Sequence, residues 1–192
     1  MFEFFAAYLK EKALLTDDEI EQVLACTSSK KIRKRQYLLQ EGEVCHYNCF
    51  VEKGCMRSYR VGEDGAEHIM TFAMPNWWVS DQESYNNGTP SKNNIDALAD
   101  SEVLLIEKKD WDTLINEMPA FREWQDKLKS KSLDAAENRI MSHISDSAEE
   151  KYNKFITSFP DIFNCVPLHM VASYLGVSRE TLSRIRNHFI KS

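Results

Sequence analysis

The sequence lacks a membrane-spanning segment, a secretion signal and the even cysteine count of a disulfide-bonded secreted protein. No hydrophobic run approaches the length of about 20 residues that a membrane-spanning helix needs. The N-terminus has no basic segment followed by an apolar one, as a secretion signal would. The cysteines are odd in number, which favours free thiols in a reducing compartment; they are Cys26, Cys45, Cys49, Cys55 and Cys165. We therefore expect a cytoplasmic protein with no membrane partner.

The sequence also lacks the signatures of common catalytic sites. It has no phosphate-binding loop, no Gly-x-Ser-x-Gly elbow and no paired nucleophile and base. Its β-rich part holds only His46 and His68, far apart, so the ligand cluster of a metalloenzyme is missing. An iron–sulfur cluster would need Cys45, Cys49 and Cys55 to converge; they lie on or near predicted strands, so we interpret them as buried small hydrophobes. We predict no enzyme, no metal and no cofactor.

Charge is distributed unevenly along the chain of 192 residues, whose formal net charge is −6. The last 28 residues hold four basic residues against one acidic residue, a net charge of +3. The other 164 residues hold 20 against 29, a net charge of −9. Because phosphate repels the acidic body and attracts the basic tail, this asymmetry would orient the protein on a polyanion.

The segment from about Lys30 to Glu107 has the pattern of an antiparallel β unit. Short stretches rich in β-branched and aromatic residues alternate with turn signals, and Glu63-Asp64-Gly65 is typical of a hairpin turn. The predicted strands include Tyr47–Val51, Cys55–Val61, His68–Phe72 and Val103–Ile106. Several short strands at this spacing predict a barrel or jelly roll.

Helical patterns flank this β unit. The first 26 residues contain a capping box, Thr16 with Glu19, and residues 110–118 predict a short helix. A long helix is predicted over about 119–145. It carries an apolar stripe typical of a coiled-coil seam, interrupted at two polar positions. The stripe consists of Phe121, Trp124, Leu128 and Ala135, and the interruptions are Lys131 and Asn138.

A second capping box, Ser147 with Glu150, predicts a fresh helix through about Phe159, which Pro160 ends. We therefore place a domain boundary near Ser145. The β unit and the long helix make up residues 1–145, and residues 146–192 form a small helical domain. The fold class is α+β.

Residues from Pro167 to Ile190 have the pattern of a helix-turn-helix. Gly176 fits the positive φ of the tight turn, Ser178 is a natural N-cap for the second helix, and Ala172 is small where the helices approach. The inward apolar positions are Val171, Leu175, Leu182 and Ile185. A plain helical hairpin with a solvated charged face is the alternative. The coincidence of turn, cap and apolar positions favours the helix-turn-helix.

The outward face of the second helix carries the side chains that we expect to contact DNA. An arginine fork matches guanine O6 and N7, and a glutamate accepts from cytosine N4 in the major groove. The predicted base readers are Arg179, Glu180 and Arg184. Other side chains are expected to contact phosphates, which set register rather than sequence; these are Ser178, Thr181, Ser183 and Arg186.

The stretch Val177–Ile185 resembles the recognition helix of the cyclic-AMP receptor protein / fumarate–nitrate regulator (Crp/Fnr) superfamily, and the order of elements is similar over nearly the whole chain. The resemblance implies a cupin-like jelly-roll sensor domain like the cyclic nucleotide-binding domain, a long dimerisation helix and a winged-helix domain. It also implies that the three predicted base readers act on a palindromic operator.

Two departures from the family pattern stand out. The sequence ends six residues after Arg186, so we expect any hairpin wing to lie before the helix-turn-helix or to be reduced. The positions that hold ribose and phosphate in the family's nucleotide binders fall at Ser80-Asp81 and Ser91-Lys92. Because no arginine is present there to fork a cyclic phosphate, we expect a degenerate effector pocket.

The sequence therefore predicts a homodimeric, sequence-specific transcription regulator with an N-terminal domain that senses an unknown small-molecule effector. The expected partners are double-stranded DNA, a second copy of the chain and RNA polymerase. Two alternatives stay open: a constitutive DNA binder whose barrel only scaffolds the dimer, and a cupin-type small-molecule enzyme.

Overall fold

The N-terminal part of the chain consists mainly of β-strands, and the C-terminal part consists of helices. The computed structural model describes residues 2–191, and side chains as far as His188. Its strands are β1 Thr27–Ile32, β2 Tyr37–Leu39, β3 Tyr47–Lys53, β4 Met56–Val61, β5 Glu67–Ala73, β6 Trp78–Val79, β7 Asn94–Ala97 and β8 Ser101–Glu107. Its α-helices are α1 Glu3–Tyr8, α2 Asp17–Ala25, α3 Gln82–Asn87, α4 Lys108–Glu117, α5 Pro119–Ser145, α6 Ala148–Ser158, α7 Leu168–Leu175 and α8 Arg179–Lys191.

The strands form two four-stranded sheets, in the orders β1-β8-β3-β6 and β2-β7-β4-β5. In the first sheet, the central strand β8 pairs antiparallel with both β1 and β3; Ile106 lies opposite Thr27 on one side and Asn48 on the other. The hairpin between β4 and β5 closes with a hydrogen bond from the Gly62 amide to the Ala66 carbonyl at 2.9 Å. This architecture confirms the predicted α+β class and antiparallel jelly roll.

The central strands of the first sheet, β3 and β8, are apolar on both faces because they separate two clusters of buried side chains. On β8, Val103 packs into the cluster between the sheets, whereas Leu104 and Ile106 pack into a cluster with the flanking helices. On β3, Phe50 belongs to the helical cluster. A strand buried on both faces loses the simple polar–apolar alternation, which explains the mixed sequence pattern of β3 and β8.

The chain folds into two compact units. One runs to Ser58 and from Phe72 to Lys131, and the other comprises Tyr59–Thr71 and the chain from Ser132 onward. The distal half of α5 and the tip of the β4–β5 hairpin thus group with the C-terminal helices. This division differs from the boundary expected near Ser145. Ser192, the last residue of the predicted C-terminal domain, and the Lys191 side chain counted in the basic tail lie outside the described part.

Most of the predicted apolar stripe of the long helix packs within the chain and is not free to form a dimer seam; of its four residues, Ala135 is exposed. Phe121 and Trp124 are buried in the helical cluster of the first unit, and Leu128 packs against it. These side chains therefore stabilise the barrel unit itself. The exposed large apolar side chains of α5 lie elsewhere: Leu133, Ile140, Met141 and Ile144.

None of the helices over residues 2–191 is both long and apolar enough to cross a bilayer.

Candidate nucleic-acid interface

The helices α7 and α8 meet at a tight turn centred on Gly176. Gly176 has φ +65°, a left-handed conformation that side chains with a Cβ adopt at a cost. Its amide bonds the Ser173 carbonyl at 3.2 Å, and the Val177 amide bonds the Ala172 carbonyl at 3.1 Å. This is the hydrogen-bond pattern of a Schellman C-cap. A Cβ at Gly176 would lie 3.1 Å from His143 Nδ1, so the turn is also a point of close approach to α5.

The inner faces of α7 and α8 are buried as the sequence predicted. The exposed fraction is at most 7% for the four inward apolar residues, Val171, Leu175, Leu182 and Ile185. Ala172 is 3% exposed, in keeping with close approach of the helices. Burial of this face directs the polar face of α8 to solvent.

The first turn of α8 is capped by Ser178. Its hydroxyl oxygen accepts from the Thr181 amide at 3.1 Å and lies 3.1 Å from Thr181 Oγ1. Two of the four predicted phosphate contacts, Ser178 and Thr181, therefore take part in the cap. Ser183, one turn further along, is half-buried.

The three predicted base readers lie together on the exposed face of α8. Arg179, Glu180 and Arg184 are exposed, and with Ser183 they line one shallow depression of about 410 Å³. The Arg184 Nε atom donates to the Glu180 carbonyl at 3.5 Å, a contact that directs its side chain back along the helix. The sequence pattern and the structure thus bring these four residues to one surface.

Glu180 is held in its ionised form. Hydrogen bonds from its own backbone amide and from the Ser178 hydroxyl lower the pKa of Glu180, and the nearby charges of Arg179 and Arg184 act in the same direction. An ionised carboxylate is an acceptor only. Its chemistry therefore suits a donor such as the amino group of a cytosine.

Arg186 differs from the other arginines of α8. It is half-buried, and its guanidinium lies over the ring of Phe163, 5.1 Å from the ring centroid. Stacking of this kind stabilises a guanidinium against an aromatic face. The residue predicted to contact phosphate therefore also packs the domain.

The four residues of the predicted effector pocket are bonded within the chain. Asp81 caps α3 by accepting from the Ser84 amide at 3.1 Å, and its other oxygen accepts from Ser91 Oγ at 2.7 Å and Asn93 Nδ2 at 2.8 Å. Burial opposes ionisation of Asp81, but these hydrogen bonds outweigh it and lower its pKa. Asp81 and Ser91 are 4% and 3% exposed.

The other two pocket positions are likewise engaged. Ser80 Oγ accepts from the Cys49 amide at 3.3 Å and donates to the Val79 carbonyl at 2.7 Å. Lys92 is exposed and pairs with Glu83 at 2.7 Å. A ligand at these four positions would have to displace bonds that the chain already makes.

Sequence reasoning missed a set of contacts within the C-terminal unit. The Ser173 hydroxyl, on α7, donates to the Glu67 carbonyl at 3.0 Å at the tip of the β4–β5 hairpin. Arg139, on α5, donates to the Met70 carbonyl and lies over the ring of Tyr174 at 5.1 Å. Backbone carbonyls have no sequence signature. The only sequence signal for these contacts with β5 is a serine, Ser173, within an otherwise apolar helix.

The cysteines are free thiols, and Cys45, Cys49 and Cys55 are buried. Burial raises the pKa of Cys49 far above its ordinary value, which disfavours the thiolate. Among the described residues, no group of three or more His, Cys, Asp or Glu side chains converges as a metal site would require.

Comparisons with known proteins agree with this architecture. Residues 29–118 match the cyclic nucleotide-binding domain family. The fumarate and nitrate reduction regulatory protein of Vibrio cholerae is 26% identical over 93% of this chain and 75% of its own length. This relative is a regulatory protein by name, not an enzyme.

Two solved structures share the fold. FixK2 from Bradyrhizobium japonicum superposes with a TM-score of 0.73 at 21% identity, covering 86% of this chain and 85% of that one. A transcriptional regulator of the crp/fnr family from Eubacterium rectale superposes with a TM-score of 0.70 at 14% identity, covering 95% and 87%.

Proposed function

We propose that the chain is a transcription regulator of the Crp/Fnr type, which acts as a homodimer and binds a palindromic DNA operator; its similarity to these proteins supports the proposal. The observation that carries the proposal is the shared exposed face of Arg179, Glu180 and Arg184 on α8. Guanidinium forks and an ionised carboxylate are the groups that distinguish guanine and cytosine edges in the major groove. We assign base reading to these three side chains.

The phosphate contacts in this proposal come from the start and the flank of α8. A helix N-terminus attracts phosphate because its free amides and the helix dipole both favour negative charge. The capping pair Ser178 and Thr181 lies at this end, with Ser183 and Arg186 further along. Because Arg186 also stacks on Phe163, its guanidinium would meet a phosphate as a charge already held in place.

The exposed apolar stripe of α5 supports a homodimer. Leu133, Ile140 and Ile144 are spaced by seven and four residues, so they share one face of the helix. Their exposed fractions are 60%, 59% and 75%. Side chains of this kind seldom face water in such a row, and a second copy of the helix would bury them. A two-fold dimer in turn doubles the contacts with a palindromic site.

The bonding of Asp81 favours a second candidate function, a constitutive DNA binder whose barrel scaffolds the dimer. Its carboxylate is fully engaged by Ser91, Asn93 and the start of α3. For this candidate, cyclic mononucleotides leave the Tm of the protein unchanged. For a regulator that senses such an effector, the Tm rises with ligand concentration.

We expect the dimer to act in the cytoplasm, where it would meet RNA polymerase at the operator. Selection of bound duplexes from a random pool tests the proposal. It should enrich an inverted repeat whose half-sites are separated by one helical turn. Enrichment of no sequence, or of a single unrepeated site, would contradict it.

A further inference from the structure

A run of basic side chains lies on the barrel unit, far along the chain from the helix-turn-helix. Residues 30–35 read Lys-Lys-Ile-Arg-Lys-Arg, in a chain with a formal net charge of −6. Ile32 is 1% exposed and anchors the run in the core, while every basic side chain in it is exposed. We call the five exposed cations the basic strip: Lys30, Lys31, Arg33, Lys34 and Arg35.

The backbone of the basic strip is held in place by hydrogen bonds. Lys30 and Lys31 belong to β1, which pairs with β8. The Lys34 amide donates to Asp100 Oδ1 at 2.8 Å, and the Arg35 amide donates to the Ala97 carbonyl at 2.7 Å. The positive charges are therefore presented by an ordered backbone, which lowers the entropic cost of binding.

Two carboxylates lie close to the strip: Asp100, which accepts from the Lys34 amide at 2.8 Å, and Glu102. Glu102 lies 3.9 Å from Lys31, but it also pairs with Lys53 at 3.2 Å. Among residues whose side chains the structure describes, none forms an ion pair with the other four cations of the strip. Clustered like charges repel one another, so this arrangement weakens the fold unless an anion covers it.

Protection of a sheet edge explains only part of the strip. Lysines on an edge strand discourage pairing with another chain, and this accounts for Lys30 and Lys31 on β1. Arg33, Lys34 and Arg35 follow the last residue of that strand. Arg35 also has φ +69°, a conformation that favours glycine. An arginine at that position points to a role for the charge itself.

We propose that the basic strip is a second DNA-binding surface, which holds the sugar–phosphate backbone of duplex outside the operator. The inference rests on the proposed function, because operator binding brings flanking duplex to a high local concentration. Six residues, even if fully extended, would span at most about 20 Å, over which one DNA strand carries about six phosphates. Contacts with phosphate add affinity and salt dependence but carry no sequence information.

The test removes three charges from the strip. In the strip variant, Arg33→Gln and Lys34→Gln are combined with Arg35→Gly, which also relieves the left-handed backbone. The matched control removes three exposed charges from the same unit; its substitutions are Lys10→Gln, Lys12→Gln and Lys109→Gln. Because these substitutions remove mutual repulsion and relieve the backbone at position 35, a Tm of the strip variant no lower than that of the wild type establishes that its fold is intact.

Affinity is measured between about 50 and 200 mM salt on three duplexes. They are a short duplex of about 20 base pairs with the operator, a long duplex of about 60 base pairs with the operator, and a long duplex of about 60 base pairs without it. We expect the strip variant to lose at least about tenfold in affinity on both long duplexes, with a salt slope smaller by at least about two. Its affinity for the short operator, and every affinity of the control, should stay within about twofold of the wild type.

The outcomes separate this inference from the proposed function. A wild type that binds duplexes with and without the operator equally contradicts the proposed function. In that case, the affinities of the strip variant and the wild type for the long duplex without an operator still test the role of the strip. Equal binding of the strip variant and the wild type to both long duplexes overturns the inference. The same equality, with a loss of transcription by RNA polymerase in the strip variant, would mean that the strip binds protein instead.

Discussion

The Ser173 hydroxyl accepts a hydrogen bond from the Ile69 amide at 3.1 Å. The same hydroxyl donates to the Glu67 carbonyl at 3.0 Å, so one side chain of α7 bonds β5 much as a neighbouring strand would. Arg139 continues the row by donating to the Met70 carbonyl. The tip of the β4–β5 hairpin is thereby fastened to the first helix of the helix-turn-helix.

Ser173→Ala should lower the free energy of unfolding of the C-terminal unit by about 1–2 kcal/mol, because it removes the two hydrogen bonds that the hydroxyl makes with β5. Urea unfolding followed by circular dichroism measures this loss, and hydrogen exchange at the Ile69 amide should accelerate. Ser158→Ala is the control, since the Ser158 hydroxyl bonds only within its own helix, to the Lys154 carbonyl at 3.0 Å. An equal effect of the two substitutions would refute the role of Ser173.

Gly176→Ala should destabilise the protein by about 1–3 kcal/mol, since it combines a left-handed backbone with crowding against His143. Gly88→Ala is the matched control: its φ is +64°, and a Cβ there meets nothing within 4 Å. Gly88→Ala measures the cost of the left-handed backbone alone, so it should lower the free energy of unfolding by less than Gly176→Ala does. Adding His143→Ala to Gly176→Ala should remove the part of the loss that exceeds that of Gly88→Ala. A double-mutant cycle without coupling energy would contradict the contact between positions 143 and 176.

Ile140→Glu should convert the proposed dimer into a monomer, because a charge on the apolar stripe of α5 would be desolvated in a helix–helix interface. Sedimentation equilibrium measures the dissociation constant, which should rise at least about tenfold. Asn138→Glu is the control, as Asn138 is exposed two residues away on a different face of the helix. A wild type that is monomeric at high protein concentration would exclude this interface.

The sequence predicted those parts of the fold whose signals are local. The turn at Gly176, the cap at Ser178 and the capping boxes at Thr16 and Ser147 are formed as expected, because each depends on neighbours within a few residues. Four strands were likewise predicted within a few residues of their bounds. In contrast, β1 was missed, since Thr27–Ile32 is a polar edge strand with little β-branched or aromatic content.

The missed features depend on partners that are distant in sequence. Phe121 and Trp124 show helical spacing whether they face a second helix or the barrel, and only tertiary packing decides that they join the barrel cluster. The placement of Arg179, Glu180 and Arg184 on one exposed face was predicted more completely, because one helix carries all three. The hydrogen bonds of Asp81 with Ser91 and Asn93 join two loops, so no local pattern predicts them.

The stability that His143 contributes should be lost on acidification. Burial lowers the pKa of His143 below its usual 6.5, the charges of Lys151 and Arg139 act likewise, and a hydrogen bond with the Tyr174 backbone opposes the shift. Because the folded pKa is the lower one, the contribution is present above pH 6.5 and is lost as the pH falls through the folded pKa. The difference in unfolding free energy between the wild type and His143→Gln should therefore shrink between about pH 7.5 and 5.5. A difference independent of pH would contradict this assignment.

The most direct test of the account is the base preference of an Arg184→Ala variant. Its affinity, and that of the wild type, is measured at one salt concentration on the selected operator and on duplexes with each single base-pair change. We expect the variant to lose about 1–3 kcal/mol of discrimination at one base pair of each half-site and to keep its preferences elsewhere. Arg186→Ala should instead weaken binding to all of these duplexes evenly. An Arg184→Ala variant that discriminates at every position as the wild type does would contradict the claim that this face of α8 reads DNA.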